Sequence, residues 1–397
     1  MKGVLEGIRV LDCSRVIAGP YCTFLLATMG AEVIRVERPG GEMDWDLGPP
    51  IPERKGRACH PLYTGCNKDG ITLDLRKKEG QKIFSELVSQ SDVVVHNYSF
   101  RAAQSMGLSY ENLERINPGL ILLAISGFGQ TGPYRERNCW DPNAQAMAGI
   151  MSLGGGPESS PTRMPFPVID FSAGCYGALG ILHALRHRDK TGEGQMVDIA
   201  LFDVAVSIVG VTAMEMKRAG QTRTKVGNAT YWTIANSFQA KDGWVFLSLA
   251  TNSIWKRFWR AIDKEEILRD QRFADDYQRF VNREEIMMVL QKWASEKTVG
   301  EIMEVTEDHH IPCSPINPIQ TWLSDPQVRE REMLVDLDCG EDFGIMPIPG
   351  LVTKLSKSPG HIVSPVPLPG QDNKEVYGKL LGYSAEDLTR LMREKII

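Results

Sequence analysis

GIRVLDCSRVIAGPYCTFLLATMGAEVIRVERPG, residues 7–40, decides the fold class. After Gly7, the apolar run Ile8–Asp12 reads as a first strand. Gly19-Pro20 punctuates, and Tyr21–Met29 carries helical spacing through Phe24, Leu25 and Thr28, with Gly30 placed as the glycine that ends a helix. Ala31–Glu37 alternates as a second strand and closes in the turn Arg38-Pro39-Gly40-Gly41. Strand, helix, strand over so short a span is a βαβ unit, which implies parallel pairing and a right-handed crossover.

The same alternation continues outward. Helix Gly80–Ser89, strand Asp92–His96, helix Tyr110–Ile116 and strand Gly119–Ser126 follow, the strands being of the continuous apolar kind that is buried on both faces. Gly149–Pro161 reads as loop, Ser172–Arg188 as helix, Gln195–Ile199 as strand and Phe202–Lys217 as a long helix. The texture then changes. Phe238–Leu249 reads as a hairpin through Lys241-Asp242-Gly243, followed by charged amphipathic helices at Ile254–Trp259, Arg283–Ala294 and Val299–Val305. From Asp325 short strands and prolines take over, and Ala385–Glu394 closes the chain as a helix. The expected class is α/β. A larger domain with a parallel sheet spans 1–224, a smaller α+β domain 225–325, and a C-terminal segment 326–397 returns to the larger one.

Bulk properties exclude several function classes. A net charge of −5 gives no basic field for a nucleic acid. Eight cysteines (13, 22, 59, 66, 139, 175, 313, 339) show no Cys-x-x-Cys spacing, the pattern of reduced thiols rather than of disulfides or a metal site. The N-terminus carries no apolar core of signal-peptide length, and the longest uncharged apolar run, Val204–Met214, is short of a membrane span. These features predict a cytoplasmic protein without a nucleic-acid or membrane partner.

Pro165–Leu179, PFPVIDFSAGCYGAL, holds the first candidate site residue. Pro165 and Pro167 keep the chain extended up to Val168, and a helix is expected from Ser172, so Asp170 stands where an N-cap would. Capping is one reading. The other is reactive: a carboxylate with the ordinary value near ~3.9 is ionised at neutral pH and is a nucleophile without a helper base. Gly174 and Gly177 leave bare backbone one turn on, so that either a ligand or another helix can approach.

Other motifs weigh less. Gly127-x-Gly129-x-x-Gly132 matches the dinucleotide string, but Pro133 and the polar run after it cannot open the helix that motif needs, so a nicotinamide site is rejected. His183 and His187 have metal-compatible spacing, yet no carboxylate lies between them and the helix end near Lys190 explains them better; no metal is expected. Arg38, Arg76, Arg101, Arg135 and Arg137 fall at or beyond strand ends, which points to an anionic ligand.

Taken in order, Gly7–Asp12, Ile17-Ala18-Gly19-Pro20, Gly30–Gly40, Asn67-Lys68 with Leu73-Asp74-Leu75, Asn117-Pro118-x-Leu120, Ser126–Pro133, Thr191-Gly192-x-Gly194-Gln195 with Val197-Asp198, and His310-Ile311-Pro312-Cys313 resemble the class III coenzyme A transferases. That group contains the formyl-CoA:oxalate and carnitine enzymes. The resemblance runs essentially end to end. It implies a Rossmann-like larger domain, an interlocked homodimer, no permanently bound cofactor, and coenzyme A or acyl-CoA as substrate with a carboxylic acid acceptor. It places the nucleophile on Asp170. It places coenzyme A contacts on Val16, Ile17 and Ala18, on Arg38, on Leu73 and Arg76, on Asn97, Tyr98 and Ser99, and on Arg137, Asn138, Cys139 and Trp140.

Two departures stand out. Members often carry a basic residue where this chain has Ser99 and again near Ser105-Met106; Arg101 is the one cation between them and is counted with the coenzyme A residues. The glycine-rich lid of some members is absent around Ala250–Trp255, which brings the carnitine-type branch closer. The same fold serves α-methylacyl-CoA racemases, which need a histidine directly before the aspartate that aligns with Asp141. Trp140 occupies that place here, and indole cannot shuttle a proton. A coenzyme A-binding protein without catalysis is the third alternative. In the transferase reading, the helix after Asp170 is expected to turn backbone N–H groups toward a developing oxyanion. Aromatics at Tyr21, Tyr63, Trp140, Tyr231 and Trp232 point to a bulky or apolar acid, although core packing explains aromatics equally.

Overall fold

The computed structural model describes residues 3–48, 60–220, 222–231, 233–341 and 343–397, so Cys59 and Trp232 lie outside the described residues. Two compact units emerge: residues up to Ala148 with Met164–Gly210 and Arg329–Ile397, and Gly149–Arg163 with Val211–Val328.

The first unit opens with β1 (Arg9–Asp12), α1 (Ala18–Thr28) and β2 (Glu32–Glu37). β3 (Asp69–Thr72), α2 (Lys78–Val88), β4 (Val93–His96), α3 (Phe100–Ser105), α4 (Tyr110–Ile116) and β5 (Ile121–Ser126) follow. α5 (Asp141–Met147), α6 (Val168–Thr191), β6 (Gln195–Ala200) and α7 (Leu201–Ala219) complete the run, the last crossing into the second unit. The six strands pair in parallel in the order β3-β2-β1-β4-β5-β6. That is the doubly wound order, with its reversal between β1 and β4, where such sheets open a crevice beyond the strand ends. Val10 pairs with Val33 on one side and Val93 on the other. Val10, Leu11, Val93–Val95 and Ile121–Leu123 are essentially inaccessible, as expected of central strands covered on both faces. β3 is an addition to the sequence reading.

α6 is the helix on which the site depends. Its small residues press it onto its neighbours: a Cβ on Gly174 would lie 2.8 Å from the Ala18 carbonyl, and one on Gly177 would lie 2.8 Å from Leu123 Cδ2. The bare backbone therefore admits α1 and the sheet. α6 also corrects the expectation about membrane spans. By length and composition it is long and apolar enough to cross one, since one carboxylate does not break a window of mean hydropathy 1.4; 44% of that window is buried in the protein.

The second unit contains the expected hairpin, β7 (Ile234–Gln239) and β8 (Trp244–Leu249), joined antiparallel by a third strand, β9 (Cys313–Pro315). β8 passes through Ala250 and Thr251 straight into α8 (Asn252–Ala261), with the Thr251 hydroxyl capping it. α9 (Arg283–Ser295) and α10 (Val299–Asp308) cover a core built on Trp255, Phe258, Trp259, Leu290 and Ile302.

From Arg329 the chain belongs again to the first unit. β10 (Leu334–Asp338) and β11 (Ile345–Pro349) pair antiparallel. The segment after them laces the sheet edge: Asp372 accepts from Gly70 N–H (2.7 Å), Asn373 from Thr72 N–H (2.9 Å), and the Tyr377 hydroxyl donates to the Thr72 carbonyl (2.8 Å). α11 (Ala385–Arg393) adds Leu388 and Leu391 to the core of Ile83, Phe84 and Leu87.

Candidate active site

The loops after β1, β4 and β5 and the first turn of α6 surround a cavity of about 310 Å³ at the carboxyl ends of the strands. Arg15, Val16, Ile17 and Ala18 come from the β1 loop, and Asn97, Tyr98 and Ser99 from the β4 loop. Arg135, Arg137, Asn138, Cys139 and Trp140 come from the stretch before α5, and Asp170 from α6. A second cavity of about 250 Å³ holds Arg38, Leu73 and Arg76 with Ala102, Ser105 and Met106. Arg15 and Tyr98 line both. Arg101 lines neither: its Nε donates to the Glu136 carboxylate at 3.1 Å on the surface.

The β1 loop is rigidly specified. Asn97 Oδ1 accepts the Arg15 N–H (3.0 Å), and its Nδ2 donates to the Arg15 carbonyl (2.6 Å). The Arg15 guanidinium lies 4.7 Å over the Tyr98 ring and 3.8 Å from the Glu42 carboxylate. Val16 has φ 68°, a left-handed backbone that a β-branched residue adopts only when its surroundings impose it. His60 Nε2 donates to its carbonyl at 2.7 Å. Beneath this loop, the fully buried Asp12 accepts from Lys68 Nζ (2.9 Å), Thr23 Oγ1 (2.6 Å), and both the N–H (3.0 Å) and the hydroxyl of Ser14. Burial opposes the Asp12 charge, but Lys68 and these donors outweigh it and hold the carboxyl below its ordinary value.

The glycine-rich loop is also tied down. Gly129 N–H donates to Ser126 Oγ (3.0 Å) and Gln130 N–H to the Asp198 carboxylate (2.9 Å). Gly127 has no room for a side chain, since a Cβ there would meet Cys139 Cβ at 2.4 Å.

Asp170 sits differently from its sequence expectation. α6 begins at Val168 with Pro167 as its N-cap, so Asp170 is the third residue of the first turn and not the cap. A proline restrains the residue before it far more than the one after, so Pro167 bars Phe166 from the helix and leaves Val168 free to start it. The cap comes from elsewhere. The buried Asp141 carboxylate accepts the N–H groups of Ile169 (2.7 Å) and Asp170 (3.1 Å) through one oxygen, and Gln145 Nε2 (2.5 Å) through the other. Val168 N–H bonds to the Phe166 carbonyl and Phe171 N–H to that of Pro167. The first four N–H groups of the helix are all engaged, which overturns the expectation that they face an oxyanion. The charge state is corrected too. Burial first, and the Asp141 charge second, push the Asp170 carboxyl from 3.8 up to about 7. Burial, with Asp170 and Asp141 nearby, raises the Cys139 thiol to about 11.

Of the other aromatics, Tyr21 and Tyr63 pack with Phe24 and Phe171 in a cluster, the Tyr21 and Phe171 rings 4.8 Å apart edge to face. Tyr231 belongs to the second unit, with Arg223 4.9 Å over its ring. The sequence reading counted Arg135 among the arginines that point to an anionic ligand but did not single out Arg15, which lines the same cavity. Arg15 stands just past a strand end, the signal that singled out Arg38. The part played by Asp141 had no local signal.

This cleft has counterparts. The family model described as CoA-transferase family III matches residues 5–373. The chain is 35% identical to the succinyl-CoA–L-malate CoA-transferase beta subunit of Chloroflexus aurantiacus, over 99% of this chain and 98% of that one. It is 33% identical to the succinate–glutarate CoA-transferase of Agrobacterium fabrum, over 96% of each. A crystal structure of a CAIB/BAIF family protein from Brucella suis superposes with a TM-score of 0.84 at 30% identity, covering 96% of this chain and all of that one. These likenesses reach the family and not a branch within it. On the doubly wound sheet, the cleft beyond its strands and a match running nearly the whole length, this chain belongs to CoA-transferase family III and is an enzyme of that family.

Proposed function

We propose that the enzyme moves coenzyme A from a dicarboxylic acyl-CoA, of the succinyl type, to a second free carboxylic acid, with Asp170 as nucleophile. The Asp170 carboxylate attacks the thioester carbonyl and expels the coenzyme A thiolate, leaving an acyl–aspartyl anhydride. The thiolate attacks the aspartyl carbonyl, which releases the donor acid and leaves an aspartyl–CoA thioester. The acceptor carboxylate attacks the aspartyl carbonyl of that thioester, breaking the C–S bond and expelling the thiolate again, to form its own anhydride with Asp170. Thiolate attack on the acceptor's carbonyl then yields the new acyl-CoA and regenerates the carboxylate. Splitting one exchange between two poor electrophiles into these steps is what covalent catalysis contributes.

The observation that carries this reading is the position of Asp170 on the wall of a cavity that leads, by way of Arg15 and Tyr98, toward Arg38 and Arg76. An extended ligand with phosphates at one end and a thioester at the other suits that layout. Arg15 and Arg135 offer cations where Ser99 and Ser105 offer none, and Arg101 is turned to Glu136. The names of the relatives support succinyl-CoA as donor, and three arginines around the Asp170 cavity suit acids carrying a second carboxylate.

Incubation with succinyl-CoA and hydroxylamine should leave a hydroxamate on Asp170, located by peptide mass spectrometry. A hydroxamate confined to another carboxylate would sink the assignment. Rapid exchange of the α-proton of a 2-methylacyl-CoA with heavy water, without an acceptor acid, would favour the racemase reading. The same proposal includes a homodimer. Its support is the apolar surface left exposed at Tyr176, Leu179 and Leu182 of α6 and at Val206 and Ile208 of α7. Mass photometry at nanomolar concentration should find dimer; a folded, active monomer would refute it.

A further inference from the structure

Asp141 is 3% exposed, yet it is a carboxylate placed against the helix that presents Asp170. One of its oxygens takes the N–H groups of Ile169 and Asp170, and the other is held by Gln145 Nε2. Gln145 is fully buried, and its Oε1 accepts the Met164 N–H at 2.9 Å. A continuous chain of hydrogen bonds thus runs from Met164 through Gln145 and Asp141 to the first turn of α6. It clamps both ends of the segment that carries Asp170.

A carboxylate in the first turn of a helix is ordinarily favoured as the anion, because free N–H groups and the helix dipole face it. Here Asp141 is there first. We infer that Asp141 is a positioning residue for Asp170: it fixes the backbone of Asp170 through the α6 N–H groups, and its charge withholds the helix N-terminus from the Asp170 carboxylate, keeping that carboxylate basic enough to attack a thioester. The inference rests on the reading of Asp170 as nucleophile. The raised proton affinity of Asp170, in which the Asp141 charge is the second cause after burial, supports the electrostatic half.

The groups that face Asp170 are Asp141 on α5 and Cys139 just before it. Arg15, Arg135 and Arg137 stand on the walls of the same cavity. Tyr21 and Cys22 lie on α1 where Gly174 packs. The arginines favour the anion and the others do not, so the net direction is set by burial and Asp141.

The test is the rate of Asp170 hydroxamate formation from succinyl-CoA and hydroxylamine, measured from about pH 5 to pH 9 on the full-length wild type, Asp141→Asn and Gln145→Met. In the wild type the rate should rise through about pH 7 as the carboxylate forms. Asp141→Asn removes the charge: the rise should move down by about one pH unit, and the plateau should fall by about 10²-fold as the backbone loosens. Gln145→Met keeps the charge and loosens the clamp, so its plateau should fall while its rise stays in place. A merely structural role for Asp141 would lower the plateau without moving the rise, and that result overturns the inference. So does an unchanged plateau in Gln145→Met, which decides the matter if Asp141→Asn fails to fold. Absence of any Asp170 hydroxamate in the wild type removes the nucleophile reading itself, before either variant is needed.

Discussion

Asp12 and Asp170 are the same residue type in the same unit of the protein, one fully buried and the other half-buried on a cavity wall, and their environments push them in opposite directions. Burial alone would raise both. Asp12 meets an ammonium at 2.9 Å and hydroxyl and amide donors from Thr23 and Ser14, and is held low. Asp170 meets the like charge of Asp141, receives no hydrogen bond on its carboxylate from any described residue, and is raised to about 7. Burial pushes both upward, and what separates them is the company each keeps: the donors around Asp12 outweigh its burial, whereas at Asp170 the Asp141 charge adds to it.

The largest expected effect tests that division at Asp170. Asp170→Asn is nearly isosteric and should lower transfer by about 10⁴-fold or more while leaving the fold intact. Near-normal activity would return Asp170 to a structural role. At Asp12 the effect should appear in stability instead. Lys68→Met strips the partner from a fully buried charge, which costs about 3–5 kcal/mol in comparable cases. Urea unfolding should show that loss, while the pH dependence of Asp170 acylation in the surviving folded protein stays as in the wild type. A Lys68 variant of unchanged stability, or one that shifts the Asp170 profile, would dissolve the distinction.

The contrast also marks how far the sequence could be read. Residues 7–40 announced a βαβ unit because each signal there is local: a glycine, an apolar alternation, a helical period. The Lys241-Asp242-Gly243 hairpin was legible for the same reason. Asp69–Thr72 was not, since Asp-Gly reads as a turn and the strand is an edge completed by Asp372, Asn373 and Tyr377 from the far end of the chain. Asp170 is legible as a carboxylate beside a helix start, but the start itself lies four residues earlier than Ser172, because Pro167 restrains Phe166 and not Val168. Its proton affinity was out of reach. Burial raises it first, and Asp141, which adds to the rise, stands 29 positions earlier and meets it only through tertiary packing. Lys68 likewise reaches Asp12 across 56 positions.

The smallest effect is the most discriminating, because it depends on sign. The Asp12 carboxyl is lowered in the folded protein, so its contribution to stability is present above its unfolded value and is lost as pH falls through the lower, folded one. Asp170 is raised from 3.8 to about 7, so the folded state holds its proton more tightly than the unfolded chain. Its contribution is present below the unfolded value and is lost as pH rises through about 7. Replacing each aspartate by asparagine should therefore give melting differences that slope in opposite directions. Asp170→Asn carries no ionisation cost, so it should match the wild type near pH 4 and melt a few degrees higher by pH 8. Asp12→Asn should melt well below the wild type at pH 8, with the gap narrowing in acid as the wild-type carboxylate is titrated. Thermal scans at matched ionic strength resolve both slopes. If the Asp170→Asn difference is flat across that range, or grows toward acid, the proton on Asp170 is not held by the fold, and the two carboxylates differ in partners but not in kind.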